Sequence, residues 1–229
     1  MNSSISLTKA NRLFWLGRYV ERVYISLNAV KKYIDASIDK NGEAYRDYCK
    51  LIRIPDNYLS SKDFKRRYLY DKTNPFSIFS MLTNAFDNAI EVRNDITSES
   101  LSYIHLGLDV ISKCAINNAK VSELQPVADY MMSFWGSIDE NVIEIRKMSI
   151  LRLGRRLESL DMNIRLKTCW ERVNEILKGG VLTNADMLSS VTDATQTERL
   201  KTLIESRSGE NDGTGNDEIL NCINALFKI

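Results

Sequence analysis

The sequence predicts an all-α fold, an antiparallel helical bundle with additional short helices. Three observations carry that prediction. Apolar residues recur at alternating steps of three and four over long stretches, the spacing that lines one side of a helix. Only 3 Pro and 10 Gly interrupt the chain, few breakers for a protein of many short strands. No stretch alternates apolar and polar residues for long enough to read as a strand. With 229 residues, 44% hydrophobic and 27% charged, the chain has ample material for a core and reads as a single domain over 1–229.

The elements follow in order. Ser6 or Thr8 caps the first helix, whose seam is Leu13, Leu16, Val20, Val23, Leu27, Val30 and Ile34. Asn41-Gly42 ends it, because glycine accepts the left-handed cap conformation. Short helices follow over 43–52 and 61–70, separated by a loop at Pro55 and Asn57. Asn74-Pro75 opens the next helix, Asn as cap and Pro in the first turn. Its seam is Ile78, Leu82, Ala85, Ala89, Val92 and Ile96, and the two alanines imply a close neighbour. A helix over 98–113 and a turn at 117–121 lead to a helix over 122–141, with Pro126 in its first turn. The longest helix begins at Val142 or Ser149, carries Ile150, Leu153, Leu157, Leu160 and Ile164, and stops at Gly179-Gly180. Residues 192–205 read as helix. The tract 207–217, rich in Gly, Asn, Asp and Ser, reads as a mobile loop. A final helix over 218–227 docks through Leu220, Ile223 and Leu226.

Charge and cysteines exclude several functions. Lys+Arg is 31 and Asp+Glu is 30, a net charge of +1, without the basic excess that a nucleic-acid or anionic-membrane partner requires. The basic cluster 62–67 is broken by Asp63 and reads as a solvated face. Cys49, Cys114, Cys169 and Cys222 are scattered, with no Cys-x-x-Cys, and His105 is the single histidine. Reduced thiols and no metal set follow. The opening residues lack the regions of a signal peptide and no apolar run reaches spanning length, so a cytoplasmic protein is expected. No phosphate loop, nucleophile elbow or Glu-x-x-His is present, and no cofactor is expected.

One motif stands out. Leu16-Gly17-Arg18-Tyr19-Val20-Glu21 is answered by Leu153-Gly154-Arg155-Arg156-Leu157-Glu158 in the same register against an apolar seam. Glycine in mid-helix costs roughly 1 kcal/mol against Ala, which makes sense where another backbone or a ligand comes close. Arg18, Glu21, Arg155 and Glu158 point away from the seam, yet Ile25 and Met162 follow the two arginines on that face, so it is covered. The expectation is an internal pseudo-twofold repeat in which Arg18 meets Glu158 and Arg155 meets Glu21. A further polar group, with Asn84, Asp87, Asn88, Glu91 and Arg93, follows Pro75.

These stretches carry a resemblance. Residues 13–22, Asn74-Pro75-Phe76-Ser77-Ile78, 92–99, and 151–158 with Asp161 resemble the bacterial alpha-E domain, an all-helical family named for a Glu-Arg motif. The chain departs from the family pattern at Glu158-Ser159 and Phe86-Asp87. The resemblance implies partnership with circularly permuted ATP-grasp and transglutaminase-like proteins, in a system that makes, attaches or trims a peptide. It brings no activity of its own.

The candidate polar centre is Arg18, Glu21, Arg22, Arg155, Arg156, Glu158, Asn88 and Arg93. Two readings stand side by side. In one it is a buried network that sets helix register, in a non-catalytic binding or scaffold module. In the other the arginines grip a carboxylate, phosphate or peptide, oriented by Glu21 and Glu158, in a small enzyme or ligand-binding protein.

Overall fold

The computed structural model describes residues 5–39, 42–141 and 144–228. Its helices are α1 (Leu7–Asp39), α2 (Ala44–Ile52), α3 (Ser61–Tyr70), α4 (Ile78–Glu91), α5 (Ser98–Ile116) and α6 (Gln125–Glu140). They continue with α7 (Ile145–Arg165), α8 (Trp170–Ile176), α9 (Leu182–Met187), α10 (Ala194–Glu205) and α11 (Asn216–Ala225). A short 3-10 turn at Val121–Leu124 precedes α6. Among the described residues no strand forms, only an isolated bridge between Thr192 and Phe227. The fold is all-α, and no described helix is long and apolar enough to cross a membrane. The chain packs as two compact units, one of Met1–Arg18 with Glu144–Ile229, the other of Tyr19–Ile143.

In the first unit Ser6 caps α1, its hydroxyl accepting the Lys9 N–H at 3.3 Å; Thr8 already lies inside the helix. The seam residues Leu13, Leu16, Ile150, Leu153, Leu157, Leu160 and Ile164 are buried, as the spacing predicts. The region read as one helix ending at Gly179-Gly180 is organised differently. Its start at Val142 lies outside the described residues. α7 ends at Arg165, where Lys167 turns left-handed at φ 56° and the Thr168 hydroxyl donates to Asn163 Oδ1 at 3.0 Å. The glycines do not stop a helix: α8 passes through them as a π turn, Leu177–Val181, into α9. Gly180 is instead a packing position, since a Cβ there would sit 2.7 Å from the Arg156 side chain. The longest helix is α1, with 33 residues against 21 in α7.

The tract 207–217 is bonded to its surroundings. The Trp170 N–H donates to the Gly209 carbonyl at 3.0 Å, the Gly209 N–H to Glu171 at 2.9 Å, and Lys167 Nζ to the Asp212 carbonyl at 2.7 Å. Gly213 and Gly215 have φ of 96° and 68°, where a side chain would strain the turn. α11 begins within this tract, at Asn216, whose side chain donates to the Ile164 carbonyl at 3.2 Å. Leu220, Ile223 and Leu226 are buried as expected.

In the second unit the rest of the α1 seam, Val20 to Ile34, is buried. Asn41 lies outside the described residues, and Gly42 adopts φ 76°. Ser60 caps α3 by accepting the Asp63 N–H at 3.2 Å. The expected helix start at Asn74-Pro75 comes three residues later. Asn74 Oδ1 accepts the Phe76 N–H at 3.1 Å, a turn bond, and Ser77 caps α4 by accepting the Ser80 N–H at 3.0 Å. Asn74 Oδ1 is engaged in that turn, while its Nδ2 donates to Tyr58 and to the Arg67 carbonyl. Ala85 and Ala89 are buried. α4 packs on α5, and α5 on α6. Gly107 on α5 leaves room for Leu82 and Met131, each 3.4 Å from where its Cβ would be.

A ring cluster of Tyr45, Tyr48, Tyr58, Phe64 and Tyr68 holds α2 and α3 together; Phe64 stacks on Tyr68 with centroids 5.1 Å apart. Tyr48 and Tyr68 share a hydrogen bond of 2.9 Å. Beside them Cys49 is buried, and the four cysteines are free thiols, with Cys169 exposed. Burial pushes the Tyr68 phenol up to about 12 and, together with Asp56, the Cys49 thiol to about 12. Acids with raised folded values contribute stability in full below their unfolded values and lose it as pH rises through the folded ones. The second unit is therefore expected to stay intact to about pH 9, the ordinary thiol value, and to loosen as pH climbs toward about 12. Phenolate absorbance followed with helical circular dichroism checks this: a late step coinciding with helix loss is expected. Titration of every tyrosine near pH 10 with the helices intact would contradict it.

Candidate functional site

The site starts from two glycines. A Cβ on Gly17 would lie 2.2 Å from the Leu151 carbonyl oxygen and 3.0 Å from the Arg155 nitrogen. A Cβ on Gly154 would lie 2.1 Å from the Phe14 carbonyl oxygen and 3.3 Å from the Arg18 nitrogen. The contact is reciprocal, residue for residue: α1 and α7 touch backbone to backbone where the motif's glycines sit, and no larger residue fits. The reciprocity is that of this crossing, between the two copies of the motif's glycine.

The crossing places Arg18 beside α7. Its Nε donates to Glu158 Oε2 at 2.6 Å, and Nη2 lies 3.9 Å from Asp161 Oδ2. Nη1 reaches Asn224 Oδ1 at 3.5 Å. The guanidinium also rests 5.3 Å from the Trp15 ring and 5.9 Å from that of Phe14, close enough for cation–π attraction. Arg165, one turn along α7, binds Asp161 through Nε at 2.5 Å. Two guanidinium groups thus meet two carboxylates. Arg18 is 4% exposed, Glu158 and Asp161 0%.

The other candidate residues have these places. Arg155 and Arg156 are half-buried on α7 in the first unit, Arg156 running along Gly180. Glu21 is buried and Arg22 half-buried, both on the part of α1 that belongs to the second unit. Asn88 is buried on α4 and donates to the Asn84 carbonyl at 2.8 Å. Arg93 is exposed in the turn after α4. His105 is exposed and stacks on Phe86, with centroids 5.6 Å apart. Of the expected ion pairs, Arg18–Glu158 is present as drawn from the sequence.

Two members of the centre, Asp161 and Arg165, were absent from the sequence-derived set. The signal was available: Glu158, Asp161 and Arg165 follow at steps of three and four and share one helix face. Asn224 had no such signal, since only packing of α11 brings it to Arg18.

Chemically, the centre is a neutral, covered cluster. Arg18 Nε is bonded to Glu158, Nη1 reaches Asn224 and Nη2 lies near Asp161, so each nitrogen has an acceptor of the chain beside it. Among the described residues no group of three or more His, Cys, Asp or Glu is placed to hold a metal ion.

No curated protein matches this chain, and no solved structure does. One family model does match, over residues 8–208: Alpha-E, described as a predicted alpha-helical domain with a conserved ER motif. The matched stretch contains both glycines of the crossing, the Arg18 centre except Asn224, and the Glu21-Arg22 dipeptide on α1. The helical prediction in that description agrees with the fold found here, and the chain belongs to the Alpha-E family.

Proposed function

We propose that this chain is a non-catalytic helical binding or scaffold module of a peptide synthesis or modification system, whose partner is an ATP-grasp or transglutaminase-like protein. One observation supports the non-catalytic part: Arg18, the charged group at the heart of the repeated motif, is buried and paired with Glu158, with Asp161 of its own unit close by. On this reading the balanced charge orients the helices rather than gripping a substrate anion. The class of partner comes from the family resemblance, which associates such helical domains with those two protein types.

The test is co-purification. The tagged chain, expressed in its native host and cross-linked before lysis, is expected to recover an ATP-grasp or transglutaminase-like protein at near-stoichiometric yield. Recovery of neither class above a tagged control sinks the proposal. The alternative, a carboxylate- or anion-binding centre, requires calorimetric binding of acetate or phosphate that Arg18→Lys abolishes. No such heat is expected.

A further inference from the structure

Residues 226–228 lie on the first unit in the manner of a bound peptide. The Asp193 N–H donates to the Leu226 carbonyl at 2.8 Å, and the Lys228 N–H donates to the Val191 carbonyl at 2.9 Å, framing the antiparallel bridge between Thr192 and Phe227. The Phe227 ring stacks on Phe14 with centroids 3.8 Å apart and planes 11° from parallel. Lys228 Nζ meets Asp193 Oδ2 at 2.9 Å. Main-chain bonds, an aromatic seat and a charge partner are the kinds of contact that strand addition combines, here over a single bridge.

The receptor half also has bonds of its own, apart from those to residues 226–228. The Thr192 hydroxyl donates to the Ala185 and Leu188 carbonyls, both at 3.1 Å, pinning the edge that accepts the bridge. Asp193 Oδ1 caps α10 through the Gln196 N–H at 3.1 Å, leaving Oδ2 for the lysine. Phe14 is buried and meets Trp15 edge-on at 5.9 Å. Phe14 and Val191 to Asp193 lie within the stretch matched to the family, 8–208, whereas residues 226–228 lie beyond it. Phe227 is half-buried and Lys228 exposed, so the occupant's outer side faces solvent.

We infer that Phe14, the 191–193 edge and Asp193 form a groove for an extended peptide bearing an aromatic residue followed by a basic one, and that Phe227 and Lys228 fill it as a built-in competitor while Leu226 stays buried. A partner protein's aromatic–basic segment takes their place. This inference goes beyond the scaffold proposal and does not depend on it.

The experiment uses the full chain and a fluorescein-labelled peptide, Ala-Leu-Phe-Lys, read by anisotropy. Tethering gives the internal segment a high effective concentration, so Phe227→Ala is expected to bind the peptide at least about tenfold more tightly than wild type. A peptide with Ala in place of Phe should not bind. Asp193→Asn in the F227A background keeps a good helix cap and should weaken binding of the Lys peptide, but not of one carrying norleucine in place of Lys. A folded F227A that binds neither peptide, or both equally, overturns the inference. If F227A fails to fold, Phe227→Leu keeps the apolar contact without the ring stack and decides the same question. A concentration-dependent wild-type dimer abolished by the F227A change would assign the groove to a second copy, and the partner reading would fall. A failed titration leaves the co-purification result standing, and the reverse holds equally.

Discussion

Replacing Gly17 with alanine is expected to destabilise the first unit by about 3 kcal/mol, at the upper end of overpacking costs. Propensity alone argues the opposite sign, since Ala is the better helix former by roughly 1 kcal/mol. Geometry decides it. The new methyl would lie 2.2 Å from a backbone carbonyl oxygen, that of Leu151, and a carbonyl inside a helix cannot rotate aside as a flexible side chain does. α1 and α7 would have to separate, and the buried contacts beside the crossing would loosen with them. Gly154→Ala meets the Phe14 carbonyl at 2.1 Å and should cost about the same. Because one separation relieves both clashes, the double variant should cost clearly less than the sum of the singles. Urea unfolding followed by tryptophan fluorescence measures all three. A neutral or stabilising Gly17→Ala would show that the two backbones do not touch.

Removing Glu158 is the second large effect. Glu158→Ala is expected to cost about 3–5 kcal/mol, the usual penalty for leaving one member of a buried ion pair without its partner. The loss comes less from forfeited attraction than from leaving the buried Arg18 with only the longer contacts to Asp161 and Asn224. Replacing both members with apolar residues of similar volume, as in Arg18→Met with Glu158→Leu, removes the stranded charge and should recover most of the loss. Asp161 and Arg165 limit that recovery, since Asp161 would keep Arg165 at 2.5 Å but lose the approach of Arg18 at 3.9 Å. Denaturation of the two singles and the double forms a cycle that isolates the coupling. A coupling near zero would show the pair to be exchangeable with solvent, and the structural role assigned to the centre would fail.

Both results bear on what a mid-helix glycine and a covered arginine are for in this family member. The glycine admits the second backbone, and that close approach is what brings Arg18 within reach of Glu158. A slipped crossing would leave one charge buried alone, so the ion pair is expected to disfavour it. Steric fit and charge specify the same register, so neither substitution is conservative.

The alternating steps of three and four in α1, α4 and α7 determined which residues are buried, because a helix puts such positions on one side whatever packs there. The repeated Leu-Gly-Arg-x-x-Glu stretches likewise sufficed to pair Arg18 with Glu158, since glycine and charge in covered helices have few other uses. Boundaries that depend on competition were not determined locally. Asn74 and Ser77 are both good caps; Asn74 is held in the preceding turn, its Oδ1 accepting the Phe76 N–H and its Nδ2 donating to Tyr58 and the Arg67 carbonyl, and Ser77 caps the helix. Gly179-Gly180 signals a stop, yet the helical path continues through them as a π turn, with the Arg156 side chain against Gly180. The seating of Phe227 on Phe14 and of Asn224 on Arg18 was likewise decided by the tertiary structure alone: such contacts join residues some two hundred positions apart, and no local spacing encodes them.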